Sequence, residues 1–144
     1  MPSIFAIHGI LNVIIFTLII PIAMIIAHNR KQIGKQWYNY HKTLTLSAMI
    51  LLTISITISV TASIILKKPF NTLHKITGII VVALVAFQYI WTYYLSKIIY
   101  NRDLWLKVHV INAYTILLLG LFNVAIALSN ISTKSKSKIK YKKN

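Results

Sequence analysis

The sequence predicts an all-α integral membrane protein, an antiparallel bundle of four helices. Three observations carry that expectation. Its 144 residues are 57% hydrophobic with one acidic side chain, Asp103, and the mean hydropathy is +0.71, too apolar and too poor in charge for a water-soluble domain. Four stretches without charge, 1–29, 43–66, 76–96 and 108–133, each reach the roughly 20 residues that a helix needs to cross about 30 Å of hydrocarbon. All sixteen Lys and Arg lie between or after those stretches, where a membrane protein keeps its cations.

The first stretch has no positive leading region and runs far beyond the roughly 7–15 apolar residues of a signal peptide, so it is the first span. Pro21 predicts a kink inside it. The second contains TISITISVTAS, Thr53 to Ser63, whose alternation fits a strand. A lone strand leaves backbone polar groups unpaired in lipid, whereas a helix satisfies its own, so a helix is predicted there too. Pro69 ends it. The third and fourth stretches complete a core over 1–133.

Residues 134–144 form a basic tail that reads as disordered and suits anionic lipid or an acidic partner surface. With Tyr141 its only aromatic residue, the tail carries no specific nucleic-acid signal. Having no cysteine, the chain forms no disulfide, thiolate metal site or Cys-anchored haem.

Antiparallel spans put the loops after the first and third helices on one membrane face, here face A, and the N-terminus, middle loop and tail on face B. Face A collects Trp37, Tyr38, Tyr40, Tyr93, Tyr94, Tyr100 and Trp105, an aromatic belt at interfacial depth. Without the tail, seven cations on A face three on B, placing A in the cytoplasm or its equivalent; with the tail the count is seven against nine. Orientation and compartment therefore stay open.

Four of the five histidines, His8, His41, His74 and His109, recur 33, 33 and 35 residues apart, each near the start of a span. An antiparallel bundle sorts them into two pairs, His8 with His74 near face B and His41 with His109 near face A. Two imidazoles facing each other from different helices are the axial ligands of a six-coordinate b-type haem, and a bundle interior is a usual place for one. One turn deeper stand Asn12, Thr45, Gly78 and Ala113, and Gly9 adjoins His8; their small size would leave room for a porphyrin beside each ring. Zinc also takes imidazole, but two histidines per face fall short of its usual four ligands. A helical scaffold whose histidines only form hydrogen bonds is the competing reading. His28, among Asn29 and Arg30 at the end of the first helix, is expected to be structural and favoured by the helix dipole.

These residues resemble the cytochrome b561 family, including the membrane part of its fusions with an extracellular haem or catechol-type domain. The matching stretches are HGILN with the later Pro21, WYNYHK, LHKITGI with Gln88, and LWLKVH followed by LLLGLFN, covering His8 to about Leu128. Trp37, Gly9, Gly78, Trp105 and Asn123 flank the ligand pattern. The resemblance implies two b haems, one near each face. It further implies electron transfer across the bilayer from a donor such as ascorbate to monodehydroascorbate, ferric chelates or a partner haem. Family members usually carry one more helix on either side of this core. Ala113 stands where a glycine is frequent, and His28 where Arg is common.

Saturating both axial positions leaves iron no easy site for oxygen or substrate, so the chemistry expected is one-electron transfer at the haem edge. With each haem about a turn inside its face, the two irons are expected roughly 20 Å apart. Phe16, Phe87 and Phe122 are candidates to fill the gap, with core packing the competing role. Cations expected near the propionates are Lys42, Arg102 and Lys107 on face A and Lys67, Lys68 and Lys75 on face B. The resemblance also puts Lys35, Arg102 and Lys107 near an anionic reductant, although Asn39 and Asp103 stand where the family often has positive charge. Expected partners are the bilayer, a small anionic reductant, and a second copy or larger membrane complex. In the alternative reading the chain is a haem-bearing anchor or assembly subunit of such a complex.

Overall fold

A computed structural model gives the architecture; it describes residues 4–143, with side chains over 4–130. Four helices account for most of it: α1 (Ile4–His28), α2 (Trp37–Ile65), α3 (Leu73–Tyr93) and α4 (Arg102–Lys143). Each is long and apolar enough to cross a membrane. The backbone of α4 stays helical through 134 to Lys143, where the sequence predicts a disordered tail; the side chains beyond 130 lie outside the described ones. At the starts of α2, α3 and α4 the helices overshoot the uncharged stretches. Trp37 to Lys42, Lys75, and Arg102 to Lys107 are helical, because long basic side chains let a helix run past the hydrocarbon while their charges stay at the interface.

The kink expected at Pro21 takes a specific form. Pro21 sits in the first turn of the segment Ile20–His28, and the turn before it, Ile15–Ile19, is a π-helix in which the Ile20 N–H reaches the Ile15 carbonyl. Pro21 has no N–H to continue the ordinary ladder, and a wide turn re-pairs the neighbouring carbonyls. The alternating segment 53–63 is helical throughout. Beyond α2, Lys67 takes the left-handed φ of 48°. Its N–H bonds to the Ile64 carbonyl at 3.1 Å and that of Lys68 to the Ser63 carbonyl at 2.9 Å, the paired bonds of a Schellman cap. At the start of α4, Asn101 Oδ1 accepts the Leu104 N–H at 2.9 Å, and Asp103 lies in the first turn, where the dipole favours an anion.

Helix α1 packs against α2 and α4, and α3 against α4. Helices α2 and α3 touch less, leaving an apolar cleft of about 330 Å³ lined by Met49, Leu52, Ile56, Val85 and Tyr89 among others. The apolar core is one layer at mid-depth: Ile15 and Phe16 from α1, Ala48 and Leu52 from α2, Val81 from α3 and Ile116 from α4. Phe16 approaches α4 at Gly120, the position where a Cβ would fall on its ring.

Polarity is arranged inside out. Ile10, Ile25, Ile79, Ile111 and Leu118 are more than half exposed, while Ser55, Ser63, Thr77 and Asn112 are buried. In water such an exterior would drive association; in hydrocarbon it is the expected exterior. Among the described residues every buried side-chain nitrogen and oxygen has a hydrogen-bond partner. The described residues thus form an all-helical fold whose four helices, by length and composition, are consistent with a multi-pass membrane protein.

Candidate functional site

Helix direction brings the histidines together in the two pairs expected. At the face B end, the half-buried rings of His8 and His74 have centres 6.0 Å apart and planes 81° apart. At the other end those of His41 and His109 are 6.3 Å and 65° apart. The core layer begins seven residues past each histidine, at Ile15, Ala48, Val81 and Ile116. At 1.5 Å per residue it lies about 10 Å from either pair, which puts the pairs about 20 Å apart.

Ring orientation follows from what holds Nδ1. His8 Nδ1 lies 3.0 Å from the Ser55 carbonyl and 2.9 Å from Ser55 Oγ. His41 Nδ1 is 2.9 Å from the Ala23 carbonyl, and His74 Nδ1 is 3.2 Å from the Asn123 carbonyl. A carbonyl only accepts, so these contacts put the proton on Nδ1 and leave the Nε2 lone pair as the ligating one, the arrangement that orients metal-bound imidazoles. His109 differs. Its Nδ1 meets two side chains of α3: the Gln88 amide Nε2, a donor, at 2.8 Å, which favours the ring proton on His109 Nε2, and Thr92 Oγ1 at 3.1 Å, which can accept from Nδ1–H in the tautomer that ligation through Nε2 would need. Gln88 is oriented in turn by Asn112, whose amide donates to Gln88 Oε1 at 2.7 Å and to the Leu84 carbonyl at 3.1 Å.

The spacing within each pair has a chemical meaning. With a metal–nitrogen bond of about 2 Å and about 1.1 Å from that nitrogen to the ring centre, two axial imidazoles on one metal have centres about 6 Å apart. Both pairs match. Among the described residues no three of His, Cys, Asp and Glu come together, so these residues assemble no full zinc ligand set. A two-imidazole donor set suits a metal whose other positions are filled by its own macrocycle.

Space beside the rings is only partly as expected. A half-open cleft of about 180 Å³ adjoins the first pair, lined by His8, Phe16, Ser63, His74, Gly78 and Asn123 among others. A Cβ added at Gly9 would meet nothing within 4 Å, whereas one at Gly78 would come 3.3 Å from Asn123 Nδ2. Asn12 does not leave room. Its amide donates to Ser55 Oγ at 2.7 Å and to the His8 carbonyl at 2.8 Å, and lies 3.3 Å from His8 Nδ1. Thr45 is exposed, its hydroxyl donating to the His41 carbonyl at 2.9 Å. In a dry interior a polar side chain turns toward an acceptor, and residue size alone does not predict that. Of the three phenylalanines expected between the pairs, only Phe16 is buried; Phe87 and Phe122 are exposed.

Lys35, Lys42, Arg102 and Lys107 are all exposed toward face A. Arg102 is already engaged, its guanidinium 4.4 Å from the centre of the Trp105 ring. On face B, Lys75 Nζ donates to Ser63 Oγ at 3.0 Å and the Pro69 carbonyl at 2.8 Å and lies 4.4 Å over Phe70. It therefore ties down the α2–α3 connection, leaving Lys67 and Lys68 as the exposed cations there. His28 is exposed at the end of α1 and belongs to neither pair. Ser55, Thr92 and Asn112 had no assigned role in the sequence, although a polar residue inside an apolar span was the available signal.

No family model matches the chain, and neither a curated protein nor a solved structure does.

Proposed function

We propose that the chain binds two b-type haems, one between His8 and His74 and one between His41 and His109, and serves transmembrane electron transfer. The observation that carries this reading is the pair of ring separations, 6.0 and 6.3 Å, at the value two axial imidazoles require. When bound, each haem supplies one-electron iron chemistry.

The chain's own residues do the rest. Carbonyls of Ser55, Ala23 and Asn123 and the side chains of Gln88 and Thr92 hold the imidazoles in place. Histidine on both sides of the metal denies oxygen a coordination position. The buried layer of Ile15, Phe16, Ala48, Leu52, Val81 and Ile116 excludes water between the two ends. Exposed Lys35, Lys42 and Lys107 give face A a positive field that would concentrate a small anionic reductant such as ascorbate.

Haem quantitation on the purified chain tests the reading. Two haems per chain with a reduced b-type spectrum are expected, falling to one in His8→Ala or His74→Ala and to one in His41→Ala or His109→Ala. A chain that binds no haem, or single variants that each lose both without unfolding, would refute it. Liposomes with a trapped ferric acceptor and external ascorbate then read electron transfer. Reduction of the haems without reduction of the trapped acceptor would point instead to a haem-bearing subunit of a larger complex.

A further inference from the structure

His109 is the one paired histidine whose Nδ1 is not anchored by a backbone carbonyl: its neighbours there are the Gln88 and Thr92 side chains. Side chains leave a ring more rotational freedom than the fixed backbone partners of His8, His41 and His74. A ring stacked on its face restricts that freedom further. Trp105, one helical turn earlier on α4, lies with its ring centre 5.2 Å from that of His109 and its plane only 12° away, a face-to-face stack.

Trp105 is itself immobilised from three sides. Its Nε1 donates to the Trp91 carbonyl at 3.2 Å, while Trp91 Nε1 donates to the Trp105 carbonyl at 3.1 Å. This reciprocal pair clamps the end of α3 to the start of α4. The Arg102 guanidinium rests 4.4 Å from the Trp105 ring centre, adding a cation–π contact. Its counterpart at His41 is no such support, since Trp37 lies 6.3 Å away with its plane tilted by 44°.

From this geometry we infer that Trp105 is a positioning residue, whose stacked indole sets the plane of the His109 imidazole and thereby the electronic character of the haem between His41 and His109. This rests on the haem reading for its second part alone. Ring-plane orientation and ligand environment are among the levers by which a protein tunes a metal centre.

Two measurements on the full chain in detergent test it, one of them independent of haem. In haem-free protein, where no porphyrin ring current is added, the ring protons of His109 lie against the parallel indole ring and should resonate upfield. Trp105→Leu should return them to the position of an unstacked imidazole, while Trp105→Phe and Trp91→Phe should keep them upfield. In oxidised holoprotein, Trp105→Leu should displace one of the two low-spin haem resonances and its midpoint potential and leave the other in place; Trp105→Phe should restore both.

Ordinary positions for the His109 protons in the wild type would overturn the inference, and that measurement needs no variant to fold. So would Trp105→Phe behaving like Trp105→Leu, or a wild-type resonance pair unmoved by Trp105→Leu. A chain that takes up no haem refutes the haem reading while the ring-proton measurement still decides the stack.

Discussion

Replacing Gly120 with alanine tests the packing that separates the two histidine pairs. The added Cβ would lie 2.8 Å from Phe16 Cγ and closer still to Cδ1 and Cε1. Carbon atoms pack at about 3.5–4.0 Å, so ring and helix must part by about 1 Å. Phe16 is 3% exposed and sits in the π turn beside Ile15, so the space open to its ring is the cleft it lines. Overpacking of this kind costs about 1–3 kcal/mol, roughly a 5- to 150-fold fall in the folding equilibrium. The same step in a Phe16→Ala background should cost little, because the Cγ, Cδ1 and Cε1 atoms in the way are all gone.

A double-mutant cycle in mixed micelles, followed by reversible unfolding, reads the coupling directly. It should come out at about 1–3 kcal/mol. Because Phe16 also lines the cleft beside His8 and His74, Gly120→Ala should disturb haem uptake at that pair and spare the pair at the other end. Additivity within about 0.5 kcal/mol would refute the close approach, and equal disturbance of both pairs would refute its placement.

Further expectations follow from other contacts. Lys67→Gly should raise stability by about 1 kcal/mol, because the cap requires a left-handed residue at φ 48° and glycine takes that conformation without the steric penalty; a loss in the same unfolding assay would count against the cap. Asn112→Leu removes the bonds to Gln88 and the Leu84 carbonyl and should cost about 1 kcal/mol, the modest scale of polar contacts inside membranes, with its spectral effect confined to the proposed haem near face A. Ser55→Ala should broaden or shift only the signal of the proposed haem near face B, since Ser55 Oγ touches His8 and Asn12. Arg102→Gln with Lys107→Gln should slow reduction by ascorbate more than by a neutral donor, and the difference should shrink as salt rises; equal slowing would remove electrostatic docking.

What the sequence revealed and what it hid divide along a physical line. Span number and histidine pairing were legible because helix length is fixed by membrane thickness, and a recurrence near 33 residues alternates ends automatically. The Pro21 irregularity was legible as a location but not as a widened turn, since the missing N–H does not dictate how nearby carbonyls find new donors. The anchors of His8, His41 and His74 were invisible because a backbone carbonyl carries no residue signature; only the register of two helices brings Ser55, Ala23 or Asn123 into place. Asn12 was misread for a related reason. It is short enough to leave space, yet its amide has two acceptors within 2.8 Å and takes them.

The widened turn at Ile15–Ile19 lets one continuous rod serve two masters. Its leading half presents His8 to one end of the protein and its trailing half presents the Ala23 carbonyl to His41 at the other. One surplus residue advances the azimuth of everything after it by about 100°. The wide turn absorbs that residue, so closing it to an ordinary turn with every residue kept would twist one half out of phase, and the molecule could keep its grip at one end only by losing it at the other.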